Sequence, residues 1–182
     1  GLGGFFMHSR VGLDTAYLSK EWFECVDACV DEAQKLGMGA WLYDEDRWPS
    51  GAAGGLVTKN PKYRMRSLKI RISDSTKGFT WTPETLGAFV ARLDGAVARE
   101  VRPVARKARP PRLADGEKLV AFVVELQSCS NWYNGYTYLD TLSHEAVRAF
   151  ITVTHEAYRK HCGKAFAKTI PGADKSGGKF WA

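Results

Sequence analysis

Residues 4–8, Gly-Phe-Phe-Met-His, form a short continuous apolar run that leads into Ser9 and Arg10. That pattern predicts a strand buried on both faces. Ser19 is placed to cap a helix. After it Trp22, Phe23, Val26, Cys29, Val30, Ala33 and Leu36 recur at helical spacing, and Gly37 supplies a stop. Met38 to Tyr43 predicts a second buried strand. Strand, helix and strand in succession make a βαβ unit, with a parallel pair and a right-handed crossover.

Pro49-Ser50-Gly51 and Gly54-Gly55 break the chain, and beyond about residue 62 the period changes. Tyr63 to Ile72 alternates apolar and basic residues over its later half, which predicts a strand with one wet face. Leu86–Leu93 and Val97–Val104 flank Asp94-Gly95-Ala96, a hairpin signal. Residues 105–117, rich in Pro, Arg and Lys, read as a loop, and Lys118–Leu126 is strongly β-forming. Residues 62–127 therefore predict an inserted antiparallel β subdomain of about four strands. Residues 128–140 are dense in Asn and aromatics. Ser143 caps a helix carrying Val147, Phe150, Ile151, Thr154 and Tyr158 and ending near Gly163. Residues 173–182 read as an irregular tail.

The length of 182 residues suits one domain with a sizeable core. Apolar content of 45% and charged content of 25% describe an ordered globular chain. No run approaches a membrane span, and no secretory signal is visible. The apolar start at Gly1, with no Met, reads as a natural chain cut at its front. Cys25 and Cys29 sit four apart on one helix face and read as buried thiols, which favours a reducing, cytoplasmic setting.

The net charge of +6 is uneven. Lys59 to Lys118 holds 15 Lys/Arg against 6 Asp/Glu, leaving 11 against 14 elsewhere. The basic insertion raises nucleic-acid binding as an alternative. No recognisable nucleic-acid motif accompanies it, and a solvated sheet face is the favoured reading.

Both predicted parallel strands end in polar groups: His8, Ser9 and Arg10 after the first, Asp44, Glu45, Asp46, Arg47 and Trp48 after the second. Ligands of α/β folds bind beyond the carboxyl ends of such strands, although strand ends also meet water and are polar for that reason alone. If strand geometry persists, Asp44 and Asp46 share one face and Glu45 takes the other. Carboxylates suit sugar hydroxyls, a hard cation such as calcium, or acid–base work. His8 reads as a fixed binding group more than a catalyst. Trp48, Trp132, Tyr133, Tyr136 and Tyr138, with the amides of Asn131 and Asn134, suit a sugar ring, or else pack as an aromatic cluster. His155 reads as a helix-packing residue, and His144 and His161 as exposed. There is no G-x-G-x-x-G, phosphate loop, G-x-S-x-G or H-E-x-x-H, so nucleotide and metalloprotease readings lose support.

The stretches GGFFMHSRVGLDTAYLS, WLYDEDRWPSGAAGG and NWYNGYTYLDTLSHEAVRAFI resemble a group of bacterial, rhamnosidase-like glycoside hydrolases with a (β/α)8 barrel. The resemblance runs over residues 1–172 and is most specific at the YDEDRWPSG segment, residues 43–51. It implies an α/β fold, a partial TIM barrel with an inserted antiparallel β subdomain. It also implies O-glycosyl hydrolysis of plant or microbial polysaccharide, with a carbohydrate as substrate and no cofactor beyond a possible calcium. By that resemblance the catalytic candidates are Glu45 and Asp44. The substrate-binding candidates are His8, Arg10, Asp46, Trp48, Asn131, Trp132, Tyr133 and Asn134.

A complete barrel needs about 250 residues, whereas 182 less the 66 of the insertion leaves 116. The family pattern also calls for a further strand ending in an Asp-Glu motif after Gly172, where this chain reads GADKSGGKFWA. The expectation is therefore a piece of a barrel, awaiting the remainder, lacking a catalytic acid and inactive alone. A non-catalytic carbohydrate-binding remnant is the alternative.

Overall fold

Strands β1 (Gly4–Met7) and β2 (Gly39–Tyr43) pair in parallel, Gly4 opposite Gly39 and Met7 opposite Leu42. Helix α1 (Lys20–Leu36) connects them. Its start and stop are local chemistry. The Ser19 hydroxyl accepts from the Trp22 amide, and Gly37 closes the helix in a left-handed conformation, φ 64°. Trp22, Phe23, Val26, Val30 and Ala33 form its buried face and pack with Met7, Ala40 and Leu42. The computed structural model, which describes residues 1–10, 12–175 and 178–180, is an α/β protein with two four-stranded sheets.

The first sheet has the order β1-β2-β7-β8. Strand β7 (Ala173–Lys175) runs parallel to β2, and β8 (Gly178–Phe180) returns antiparallel to it. The tail was expected to be irregular, and these two short strands correct that expectation. Its residues 176–177 and 181–182 lie outside the described residues. The expectation of strands buried on both faces also needs correction. Ala40 and Leu42 are buried against the helices, but Phe6, on the other face beside Trp41, is 51% exposed. No closed barrel is present among the described residues.

The predicted C-terminal helix is two helices, α2 (His144–Val153) and α3 (His155–Cys162). They part at Thr154, whose φ and ψ are −100° and −69°. Four consecutive β-branched residues, Ile151 to Thr154, weaken the helix at this point. Tyr158 and Cys162 of α3 join the core beneath α1.

The chain divides into two compact units, residues 1–65 with 127–182, and residues 66–126. The second is an antiparallel sheet of β3 (Arg66–Ser73), β4 (Thr85–Asp94), β5 (Val97–Pro103) and β6 (Glu117–Leu126), in the order β3-β6-β4-β5. Asp94 pairs with Val97 across the expected hairpin. Ala88, Val90, Leu119, Ala121 and Val123 make its core, covered by Phe79, Trp81 and Leu113.

Strand β3 does not have the single wet face its alternation predicted. Leu68, Ile70 and Ile72 pair with Val124, Phe122 and Val120, away from that core, and are 57%, 58% and 56% exposed. As an edge strand, β3 has Lys69 and Arg71 exposed on the other face as well. Replacing Leu68, Ile70 and Ile72 by serine is expected to change unfolding free energy by no more than about 0.5 kcal/mol per site while lowering the fluorescence of a bound apolar dye. A large loss of stability in urea would show that this face is covered.

The thiols depart from expectation too. All four cysteines are free, but Cys25 is exposed and Cys29 only half-buried, because the buried stripe of α1 runs along Val26 and Val30.

Candidate functional site

Beyond Tyr43 the chain leaves the sheet, yet the alternation of β2 carries on for two residues. Leu42 and Asp44 both line a cavity beside α3, whereas Tyr43 and Glu45 take the opposite face with His8. Asp46 turns to a separate hollow. The three carboxylates are 3%, 1% and 7% exposed, so they are not a solvated loop end. A buried carboxylate must be satisfied from within the protein, and each has a different set of partners.

Asp44 Oδ1 accepts from the Ser50 hydroxyl at 2.6 Å, and Oδ2 lies 2.8 Å from His155 Nε2. Asp46 Oδ1 accepts from the Gly54 amide at 2.7 Å and Oδ2 from Asn134 Nδ2 at 2.9 Å; Arg47 Nε lies 3.9 Å away. Glu45 is the least satisfied. Its backbone carbonyl accepts from the Ser9 hydroxyl, and Oε2 is 3.5 Å from Ser50 Oγ. Oε1 is buried with no hydrogen-bond partner, 4.0 Å from His8 Nε2. The His8 ring stacks on Tyr43 at 3.7 Å. The two strand ends therefore meet, with imidazole and carboxyl side by side.

Burial pushes the Glu45 carboxyl up; Tyr43 and Ser50 hydroxyls oppose this, and the charges of Asp44 and Asp46 add to it. A carboxyl whose folded pKa lies above its unfolded value exerts no penalty below the unfolded value. The penalty grows as pH rises through the unfolded and then the folded pKa, and persists above both. Glu45→Gln is therefore expected to become more favourable, relative to wild type, on going from about pH 4 to about pH 7. Thermal unfolding at both pH values tests this, and an unchanged difference would contradict it.

The hollow at Asp46 has a volume of about 270 Å³ and is lined by Arg10, Asp14, Tyr17, Arg47 and Asn134 among others. Arg47 Nη1 donates to the carbonyl oxygens of Asn131 at 2.8 Å and Trp132 at 3.3 Å, and Trp132 Nε1 donates to Trp48 O at 2.7 Å. These bonds tie the two loops together. Trp48 and Trp132 remain 63% and 45% exposed. Tyr133 packs on Tyr138, whose hydroxyl donates to Ser50 O.

Of the expected site residues, His8 and Glu45 come together, and Arg10, Asp46 and Asn134 share the hollow. Asp44 is directed instead towards α3. Asn131 contributes only its carbonyl, and Tyr133 does not line the hollow. His155, read as a packing residue, is corrected: besides its edge contact with Phe150 it holds Asp44. The β-branched run before it is the sequence signal that could have marked it, because it ends α2 and places His155 at the start of α3. Ser9, Ser50 and Arg47 carry no such signal; their neighbours across the loops decide their partners.

Among the described residues, no group of three or more His, Cys, Asp or Glu is arranged to hold a metal ion, and no helix is long and apolar enough to cross a membrane. Compared with known proteins, the chain matches no family model, no curated sequence and no solved structure.

Proposed function

We propose that the chain is glycoside-hydrolase-like, a partial (β/α)8 barrel with an inserted antiparallel sheet, and that its β1–β2 edge binds a sugar. The observation that carries this reading is the meeting of His8 and Glu45 beyond the carboxyl ends of two adjacent parallel strands. Three further features support it. Helices cover one face of β1 and β2, while Phe6 and Trp41 stand on the other, as barrel-lining residues do. The hollow at Asp46 combines two carboxylates, two guanidinium groups and an amide, which suits vicinal hydroxyls. Exposed indoles lie on the two loops that Arg47 joins to it, available to a sugar's C–H face.

Binding, more than turnover, is what these side chains suit in this chain. Glycoside hydrolysis needs two carboxyl groups flanking the bond, about 5–9 Å apart. Here the three acids are consecutive, and Asp44 and Asp46 already serve internal partners. Saturation-transfer NMR with methyl α-L-rhamnoside is expected to show contact with sugar protons, weakened by Arg10→Ala. No cleavage of aryl glycosides is expected. Absence of transfer across rhamnose and other plant sugars would remove the carbohydrate reading. Cleavage abolished by Glu45→Gln would make the chain an enzyme in its own right.

A further inference from the structure

The cavity on the Asp44 side has about twice the volume of the hollow at Asp46, about 530 Å³ against about 270 Å³, and differs in character. Leu42, Val147, Phe150, Ile151, Tyr158 and Phe166 give it apolar walls; Asp44 and His155 stand at it together. Glu156 and Arg159 also line it but pair with each other. Both Asp44 oxygens are engaged, by Ser50 and by His155 Nε2. With the proton on Nε2, facing the carboxylate, His155 keeps Nδ1 as an acceptor. No other hydrogen bond reaches His155 among the described residues. Tyr158 is spoken for: its hydroxyl donates to Tyr43 O and accepts from Trp22 Nε1.

A site of this kind selects a flat apolar body with one donor at its edge. A benzene ring needs a cavity of roughly 150 Å³, so 530 Å³ admits two fused rings with substituents. We propose that this cavity binds a phenolic aromatic of one or two rings, its hydroxyl donating to His155 and its ring lying among Leu42, Phe150, Ile151 and Phe166. The occupant is a small aromatic and not another protein surface, because the cavity joins apolar walls to a single imidazole whose hydrogen bond to Asp44 leaves it able to accept from one donor. In the carbohydrate reading, on which this assignment of its source rests, such a phenol is the aromatic aglycone of a glycoside.

The test uses the whole chain with 4-methylumbelliferone, and with 4-methylcoumarin, which lacks the hydroxyl. Fluorescence titration is expected to give saturable binding with a Kd on the order of 1 mM or tighter, with the hydroxylated probe favoured about fivefold. Ile151→Trp, filling the cavity from its exposed wall, is expected to abolish binding of both probes. His155→Phe is expected to keep ring binding and lose the preference. In wild type, the imidazole ¹⁵N signals of His155 should shift on titration, a readout independent of any variant. No saturable binding, binding indifferent to Ile151→Trp, or no His155 shift would overturn the proposal. So would sedimentation showing a dimer that Ile151→Trp dissociates, since a second copy would then cover the cavity. Methyl α-L-rhamnoside in the same experiment separates the two ideas. Rhamnoside binding without the phenol sinks only the cavity assignment; the phenol without any sugar sinks only the carbohydrate reading.

Discussion

Gly55→Ala is expected to lower the unfolding free energy by about 3 kcal/mol. Gly55 has φ +86°, and a Cβ there would stand 2.6 Å from Cδ2 and 2.9 Å from Cε2 of the Tyr136 ring. The first effect costs about 1–2 kcal/mol for a residue with a side chain. The second demands displacement of an aromatic ring, adding about 1–3 kcal/mol. Arg64 lies over that ring at 5.4 Å, a cation–π contact that a displaced ring would also disturb. Gly54 is the internal control. Its φ is +64°, but a Cβ would meet Tyr17 carbons at 3.4 and 3.5 Å and Asp46 Oδ2 at 3.8 Å, all ordinary contact distances. Gly54→Ala should therefore cost only about 1 kcal/mol. Urea unfolding followed by tryptophan fluorescence compares the two, and equal losses would show that the clash is relieved without cost. The gap also bears on the site. Moving Tyr136 is expected to disturb Asn134, two residues before it in the same turn, and with it the amide that reaches Asp46.

The run of residues 53–55 shows what sequence could and could not reveal. Two adjacent glycines mark a break, and their backbone is left-handed from Ala53 through Gly55, with φ of 49°, 64° and 86°. That the break wraps over Tyr136, 81 positions further along, is not a local property. The same division runs through the rest of the molecule. Ser19, Gly37, Gly95 and Ser143 act on their immediate neighbours, so the βαβ unit, the hairpin and the start of α2 were all readable from the chain. Alternation along β3 was readable, but not which side would be covered. That depends on the order β3-β6-β4-β5, in which β3 is an edge strand and the core gathers on β4 and β6. At the site, the juxtaposition of His8 with Glu45 follows from parallel pairing of two recognisable strands. Asp44 with His155 spans 111 positions and depends on a helix break at Thr154, which helical periodicity alone passes over.

Asp46→Ala is expected to cost about 3 kcal/mol, through the loops more than through charge. The carboxylate accepts from the Gly54 amide and the Asn134 side chain at once, and so fastens the glycine turn to the Asn131–Asn134 segment. Hydrogen bonds to a charged group contribute about 1.5–3 kcal/mol each. Asn134 is exposed and regains water when released, so its share falls at the low end. Gly54 is only part-exposed and its amide points at the buried oxygen; that loss dominates. Asp46→Asn discriminates between shape and charge. Its carbonyl oxygen can still receive the Gly54 amide, while its own amide group meets Asn134, which must turn its oxygen inward to accept. A loss of about 1 kcal/mol is then expected, for one neutral bond in place of a charged one. If alanine and asparagine are equally destabilising in urea at neutral pH, charge on Asp46 is the essential property, and Arg47, 3.9 Å away, is its true partner. If asparagine is mild, the two hydrogen bonds hold the loops. Rhamnoside contact in the hollow should then survive asparagine and fail with alanine, because the hollow's walls come from both fastened segments.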